Sequence, residues 1–80
     1  MRELSLYTRD NCHLCEDMLQ ELQPLLRDAG WGCRLIKVSG DPDLEQRYGA
    51  RVPVLVGEDR ELCQVRLDPD AVRAYLAGAT

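Results

Sequence analysis

Two cysteines three positions apart, Cys12 and Cys15, are the residues in this 80-residue chain whose spacing most directly suggests chemistry. On a helix, residues at this spacing share one face, and their separation suits a disulfide bond. Such a pair can cycle between dithiol and disulfide, supply two ligands to zinc or an iron–sulfur cluster, or simply fill a core. These three interpretations make different demands on the rest of the chain.

A metal or cluster site needs two further ligands, and the remaining cysteines are Cys33 and Cys63. Neither belongs to a second closely spaced pair, and each falls in a separate predicted strand. We therefore interpret both as small core residues. A cluster shared between two subunits through Cys12 stays open as an alternative.

The two cysteines differ in their place on a predicted helix over residues 12–29. Cys12 falls at the helix start, where unpaired backbone N–H groups and the helix dipole favour a thiolate. Asp10 or Asn11 is the expected helix cap. Cys15 opens the apolar stripe of the helix, so its sulfur should lie deeper. This difference predicts that Cys12 attacks a disulfide and that Cys15 resolves the mixed disulfide.

The charges near Cys12 act in both directions. Arg9 favours its thiolate, whereas Glu16 and Asp17 suit the helix dipole but oppose a nearby negative sulfur. His13 follows Cys12 directly and is expected to face solvent within reach of these acids.

The remaining pattern predicts strands at residues 3–7, 33–38, 52–56 and 61–67, a short helix ending at Tyr48 and a last helix near residues 69–77. Gly30 is the expected C-cap of the first helix, and Pro24 should kink it. Asp41-Pro42 and Asp68-Pro69 are helix starts. A helical crossover makes the first two strands parallel, and a four-residue turn makes the last two antiparallel. The order βαβαββα thus predicts an α/β fold with a four-stranded mixed sheet and three helices.

Composition excludes several classes of function. The net charge is −4 and Lys37 is the only lysine, which argues against nucleic acid and against an anionic membrane surface. No apolar run approaches the ~20 residues that span a bilayer, and the N-terminal residues lack a signal peptide's apolar centre. We expect one cytoplasmic domain over residues 1–80.

Residues 7–15, Tyr-Thr-Arg-Asp-Asn-Cys-His-Leu-Cys, resemble the active-site stretch of glutaredoxins. Val52-Pro53 resembles the Val–cis-Pro that faces the active site in thioredoxin-fold proteins. Cys-His-Leu-Cys-Glu and Arg-Val-Pro-Val-Leu are most similar to small bacterial glutaredoxin-like proteins. The order of elements agrees along nearly the whole chain.

This resemblance implies a thioredoxin fold and a thiol–disulfide oxidoreductase that needs no bound cofactor, with glutathione or protein disulfides as partners and a monomeric state. It implies a cis bond before Pro53 and a Val52 backbone that pairs with an extended substrate. Arg9 and Arg51 are candidates to hold a substrate carboxylate.

The chain departs from the glutaredoxin pattern in three places. Arg51 replaces the commoner small polar residue before Val-Pro. His13-Leu14 replaces the usual Pro-Tyr between the cysteines. Residues 67–70, Leu-Asp-Pro-Asp, stand where glutaredoxins carry the glycine pair and the acid that hold glutathione. The resemblance therefore implies the thiol chemistry of the two cysteines, whereas the residues that hold glutathione in glutaredoxins are not matched. The rival hypothesis is a non-enzymatic module of the same fold that carries an iron–sulfur cluster or docks a partner.

Overall fold

The computed structural model describes residues 2–78, which form four strands, three α-helices and one 3₁₀ turn. In chain order these are β1 (Glu3–Thr8), α1 (His13–Ala29), β2 (Gly32–Lys37), α2 (Pro42–Tyr48), the 3₁₀ turn (Gly49–Arg51), β3 (Val54–Val56), β4 (Glu61–Gln64) and α3 (Pro69–Gly78). The predicted order βαβαββα and the α/β fold class are confirmed.

The sheet has the strand order β2-β1-β3-β4. β1 and β2 are parallel, whereas β3 runs antiparallel to both β1 and β4. Since α1 connects the parallel pair, its start follows the end of β1 directly. The Cys12–Cys15 segment therefore lies at the end of the sheet where the central strand β1 ends and its neighbour β3 begins.

Two apolar clusters cover the two faces of the sheet, because alternate residues of each strand point in opposite directions. Leu4 and Leu6 of β1 lie under α1 and α3, with Leu22 and Val72 among the buried helix residues. Tyr7 points to the other face, where Val54 packs with Val38 and Tyr48 near α2. The sheet thus separates α1 and α3 from α2.

The predicted ends of two helices are confirmed. Gly30 caps α1 in the left-handed conformation, with φ of 72°, and the Trp31 N–H donates to the Leu26 carbonyl at 2.9 Å. The Asp41 carboxylate accepts hydrogen bonds from the first backbone N–H groups of α2. α1 continues through Pro24 to Ala29.

The fourth strand is shorter than predicted, since it ends at Gln64 and not at residue 67. Val65 has a φ of 67°, and the Arg66 N–H donates to the Gln64 carbonyl at 2.6 Å. Val65 is therefore the centre of a three-residue turn, a strained conformation for a β-branched residue. The alternation of Cys63, Val65 and Leu67 suggested a strand, but the chain must turn there to enter α3.

The third strand also begins later than predicted, at Val54 and not at residue 52.

Among residues 2–78, no helix is both long enough and apolar enough to cross a lipid bilayer.

Candidate active site

Cys12 is itself the N-cap of α1, which corrects the prediction that Asp10 or Asn11 caps this helix. The Cys15 backbone N–H donates to Cys12 Sγ at 3.1 Å. Asn11 instead takes a left-handed conformation, with φ of 55°, and turns the chain into the helix. A sulfur at the cap receives the hydrogen bond that a serine or aspartate oxygen usually accepts. This position favours negative charge on Cys12.

Cys12 and Cys15 are joined by a disulfide bond, with their Cα atoms 5.2 Å apart. Cys12 is half-buried, whereas Cys15 is only 5% exposed and lies within the apolar stripe of α1. His13, between them, faces solvent, with Nδ1 3.9 Å from Glu16 Oε2, as predicted. The pair therefore has an outer and an inner sulfur, and the outer one is the more accessible to another molecule.

Val52 and Pro53 lie at the same edge of the sheet as the disulfide. Tyr7 pairs with Val54 in the antiparallel β1–β3 ladder, so the residues before Val54 run alongside those after Tyr7. The peptide bond between Val52 and Pro53 is cis. Pro53 is buried and its carbonyl accepts a hydrogen bond from the Val65 N–H at 2.8 Å, whereas Val52 is half-buried. The structure thus brings these two predicted residues to the end of the sheet that carries Cys12.

Arg9 is engaged by protein groups. Its guanidinium donates to both carboxylate oxygens of Glu45, at 3.0 and 2.6 Å, and to the Gly49 carbonyl at 2.9 Å. The hydrogen bonds from Arg9 hold the pKa of the Glu45 carboxyl below its usual range. The sequence prediction that Arg9 binds a substrate carboxylate or favours the Cys12 thiolate did not include these partners.

Arg51 is engaged in a similar way on the other side of the 3₁₀ turn. It donates to both carboxylate oxygens of Glu61, at 2.8 and 3.0 Å, and to the Gln64 side chain at 2.7 Å. Its guanidinium carbon lies 5.6 Å from the centre of the Tyr48 ring. These contacts fix Arg51 between α2 and β4, and its role in binding a substrate stays a prediction.

Cys33 and Cys63 lie on the two edge strands, β2 and β4, at opposite sides of the sheet. Both pack partly buried against the cluster under α1, in agreement with their interpretation as core residues. Within residues 2–78, no group of three His, Cys, Asp or Glu side chains is arranged to hold a metal ion.

Sequence reasoning missed three features around the site. Glu45 and Gly49 hold Arg9, and Val65 contacts Pro53 from a strained turn. The sequence did contain one signal for the contact of Arg9 with Glu45 and Gly49. Arg9 follows Tyr7 by two positions, so strand alternation directs the Tyr7 and Arg9 side chains toward the face of the sheet that α2 covers. Leu14, between the cysteines, is 39% exposed and lines a shallow groove with Val65 and Leu67.

Comparison with solved structures defines the class of protein. Thioredoxin 1 from Thermosipho africanus matches with a TM-score of 0.63 over 96% of this chain and 97% of that chain. At 16% identity this match shows the fold alone, which is the thioredoxin fold. The solution structure of protein Ne2328 from Nitrosomonas europaea is more similar, with a TM-score of 0.82 and 42% identity over 92% of this chain and 89% of that chain. The X-ray structure of XcR50 from X. campestris has a TM-score of 0.69 and 37% identity over 96% of this chain and 99% of that chain.

The particular family follows from the sequence. Residues 3–77 match the model of the Glutaredoxin-like domain (DUF836), and the chain belongs to this family. Uncharacterized protein Rv0508 from Mycobacterium tuberculosis is 29% identical over 83 residues, which cover 98% of this chain and 86% of that protein. The predicted resemblance to small glutaredoxin-like proteins is confirmed. A glutaredoxin-like thioredoxin fold with a bonded cysteine pair at the start of α1 is consistent with a redox function.

Proposed function

We propose that this protein is a thiol–disulfide oxidoreductase in which Cys12 is the nucleophile and Cys15 is the resolving cysteine. One observation carries the proposal. Cys12 Sγ occupies the cap of α1, accepts the Cys15 N–H at 3.1 Å and is half-buried, while Cys15 is almost fully buried. A sulfur that is both accessible and hydrogen-bonded at a helix start is the one that ionises and attacks.

The reaction begins from the reduced dithiol. The Cys12 thiolate attacks one sulfur of a substrate disulfide, the substrate S–S bond breaks, and the first substrate thiolate leaves and takes up a proton. Cys15 then loses its proton and attacks Cys12 Sγ. This step forms the Cys12–Cys15 disulfide and releases the second substrate thiol. Two electrons pass from the dithiol to the substrate, and a thiol donor restores the dithiol.

The substrate side is formed by Val52 and Pro53. Val52 lies outside the β1–β3 ladder, since the last pair of that ladder is Tyr7 with Val54. Its backbone has an extended conformation, with φ of −61° and ψ of 146°. An extended substrate backbone can pair with such a segment in the way that a strand adds to a sheet edge. The side-chain groove beside Leu14 would then receive part of the substrate.

The electron donor we propose is glutathione or a thioredoxin-type dithiol protein, and the substrates are glutathione mixed disulfides or protein disulfides. The chemistry needs no bound cofactor, because both electrons reside on the two sulfurs. A reducing cytoplasm and a monomeric protein fit this chemistry and stay predictions. The two thiol groups of the proposed site support these donors and substrates. The glycine pair that holds glutathione in glutaredoxins is absent from residues 67–70 and gives no support to glutathione in particular.

The test is reduction of a small mixed disulfide by wild type and two variants. We expect Cys12→Ser to fall to the background rate, because the attacking sulfur is absent. Cys15→Ser should still form the mixed disulfide and accumulate it as a covalent adduct visible by mass spectrometry. Cys33→Ala, a change at the edge of the sheet, is the matched control and should keep the wild-type rate. Equal activity in Cys12→Ser and wild type would refute the mechanism.

The rival hypothesis of a cluster-carrying or partner-binding module makes a different demand. A cluster within one chain needs four ligands, and Cys33 and Cys63 lie on the outer strands of the sheet, away from each other. The donor set thus supports the redox proposal. Visible absorbance after anaerobic purification tests the shared-cluster form, and a redox titration tests whether the pair cycles near cytosolic potentials.

A further inference from the structure

The contact of Arg9 with Glu45 and Gly49 joins two segments that flank the proposed site. Arg9 belongs to the connection between β1 and α1, three residues before Cys12. Glu45 lies on α2, and Gly49 begins the 3₁₀ turn that leads into Val52 and Pro53. The guanidinium therefore connects the loop that carries the nucleophile to the segment that carries the proposed substrate edge.

The contact of Arg9 with Glu45 and Gly49 depends on the absence of a side chain at position 49. A Cβ atom at Gly49 would collide with the Glu45 carboxylate and would lie 3.0 Å from Arg9 Nη2. Glycine at this position thus allows the Arg9 guanidinium and the Glu45 carboxylate to approach the backbone together. The rings of Tyr7 and Tyr48 also stack, with their centres 4.1 Å apart, which is a second contact between β1 and α2.

The same contact limits what else Arg9 can do. Both of its terminal nitrogens donate to Glu45, and one also donates to the Gly49 carbonyl. No pair of parallel N–H groups is therefore left on the guanidinium to bind a substrate carboxylate. The Glu45 carboxylate also offsets the positive charge that would otherwise act on Cys12.

We infer that Arg9 is a positioning residue, which sets the distance and orientation of the Val52–Pro53 segment relative to Cys12 by binding Glu45 and the Gly49 carbonyl. This inference rests on the proposed function and explains how the site would select disulfides that carry an extended peptide backbone. Substrates whose backbone pairs with Val52 depend on the contact. Small disulfides without a peptide backbone do not, because they meet only Cys12.

The experiment compares two substrates and one reagent. The first substrate is an extended peptide disulfide, the second is hydroxyethyl disulfide, and the reagent is iodoacetamide acting on reduced Cys12. We expect Arg9→Lys, Glu45→Gln and Gly49→Ala each to raise KM for the peptide disulfide, lowering kcat/KM about 10- to 100-fold, because small misplacements of a binding segment have effects of this size. Reduction of hydroxyethyl disulfide and alkylation of Cys12 should stay within about twofold of wild type.

Arg73→Lys is the matched control, since Arg73 forms an exposed contact with Asp70 on α3, away from the site. It should leave all three rates unchanged. Glu45→Gln keeps the shape of the side chain and serves if Arg9→Lys does not fold.

Four other outcomes would overturn the inference. Equal changes in all three rates would show that Arg9 acts through its charge on Cys12, and faster alkylation in Glu45→Gln would show the same. Unchanged peptide kinetics in all three variants would show that the contact positions nothing. A wild-type protein that reduces neither substrate would refute the proposed function itself and the inference with it.

Discussion

Cys12, at the start of α1, and the two edge-strand cysteines are exposed to a similar degree, yet they lie in different environments. Cys12, Cys33 and Cys63 are all half-buried. Cys12 accepts a backbone N–H at a helix start, which favours a thiolate. Cys33 has only a long contact with the Arg34 carbonyl, at 3.9 Å, and burial raises the pKa of its thiol to about 11. Exposure therefore does not separate Cys12 from the edge-strand cysteines, whereas its position at the start of a helix does.

Cys63 extends the comparison because a polar group lies near it. Burial is the main cause that raises the pKa of the Cys63 thiol, and a hydrogen bond with the Asp68 backbone only partly opposes that rise. A donor group is thus present at Cys63, but desolvation outweighs it. At Cys12 the donor lies at the first turn of a 17-residue helix, where several further N–H groups lack helical partners.

The largest expected difference is in the rate of alkylation. In the fully reduced protein at pH 7, a thiol with a pKa of about 11 is ionised in roughly one molecule in 10⁴. We therefore expect iodoacetamide to modify Cys12 at least about 100-fold faster than Cys33. Peptide mapping by mass spectrometry after timed quenching measures both rates in one sample.

The control for this measurement is the same reaction in urea. In the unfolded chain all the cysteines have thiols near the ordinary pKa of about 8.5, so their rates should agree within about threefold. Equal rates at Cys12 and Cys33 in the folded protein would contradict the comparison, because the fold would then not distinguish the two environments.

The second difference is the effect of one substitution, cysteine to serine, on stability under reducing conditions. Serine is among the best helix caps, so Cys12→Ser should leave the free energy of unfolding within about 0.5 kcal/mol of wild type or raise it. Cys63→Ser places a hydroxyl against the apolar cluster and should lower that free energy by about 1–3 kcal/mol.

Urea unfolding followed by circular dichroism measures both values. The reductant is required in every sample, because otherwise loss of the Cys12–Cys15 bond would add its own effect to Cys12→Ser. A loss of stability at Cys12 that equals the loss at Cys63 would show that Cys12 is not the cap of α1.

The comparison also shows which parts of the molecule the sequence could predict. Hydrophobic alternation and the Asp-Pro helix starts predicted the order of elements, because these signals are local. The cysteine spacing predicted a pair that can form a disulfide, because positions three apart at a helix start have Cα atoms close enough for the bond, here 5.2 Å apart. The predicted end of β4 was wrong, because Val65 continues the alternating pattern of side chains while its backbone turns.

The helix cap and the Arg9 contact were not predictable in the same way. Cysteine is not a usual cap residue, so Asp10 and Asn11 were the natural choices from propensity. Glu45 is 36 residues from Arg9, and only the packing of α2 on the sheet selects it from the acidic residues of the chain. Local chemistry was therefore predictable, whereas the partners chosen by tertiary packing were not.

The smallest expected difference concerns pH. Since burial raises the Cys33 pKa from the ordinary value of about 8.5 to about 11, the folded chain keeps a proton that the unfolded chain releases between these values. The stabilisation from the neutral buried thiol is thus fully present below about pH 8.5 and is lost as the pH rises toward 11. We expect wild type to lose on the order of 1 kcal/mol more stability than Cys33→Ala between pH 8 and pH 10.5.

Urea unfolding of the two proteins at each pH measures this difference, and the comparison cancels the ionisation of tyrosines that both share. A Cys12→Ser variant serves as the second control and should lose at least as much stability as wild type over this range in reductant, because it retains Cys33 and lacks any gain from a Cys12 thiolate. Parallel curves for wild type and Cys33→Ala would contradict the pKa shift at Cys33. In that case the inertness of the edge-strand sulfurs would have to come from steric exclusion of reagents, and the environment at Cys12 alone would distinguish the two regions.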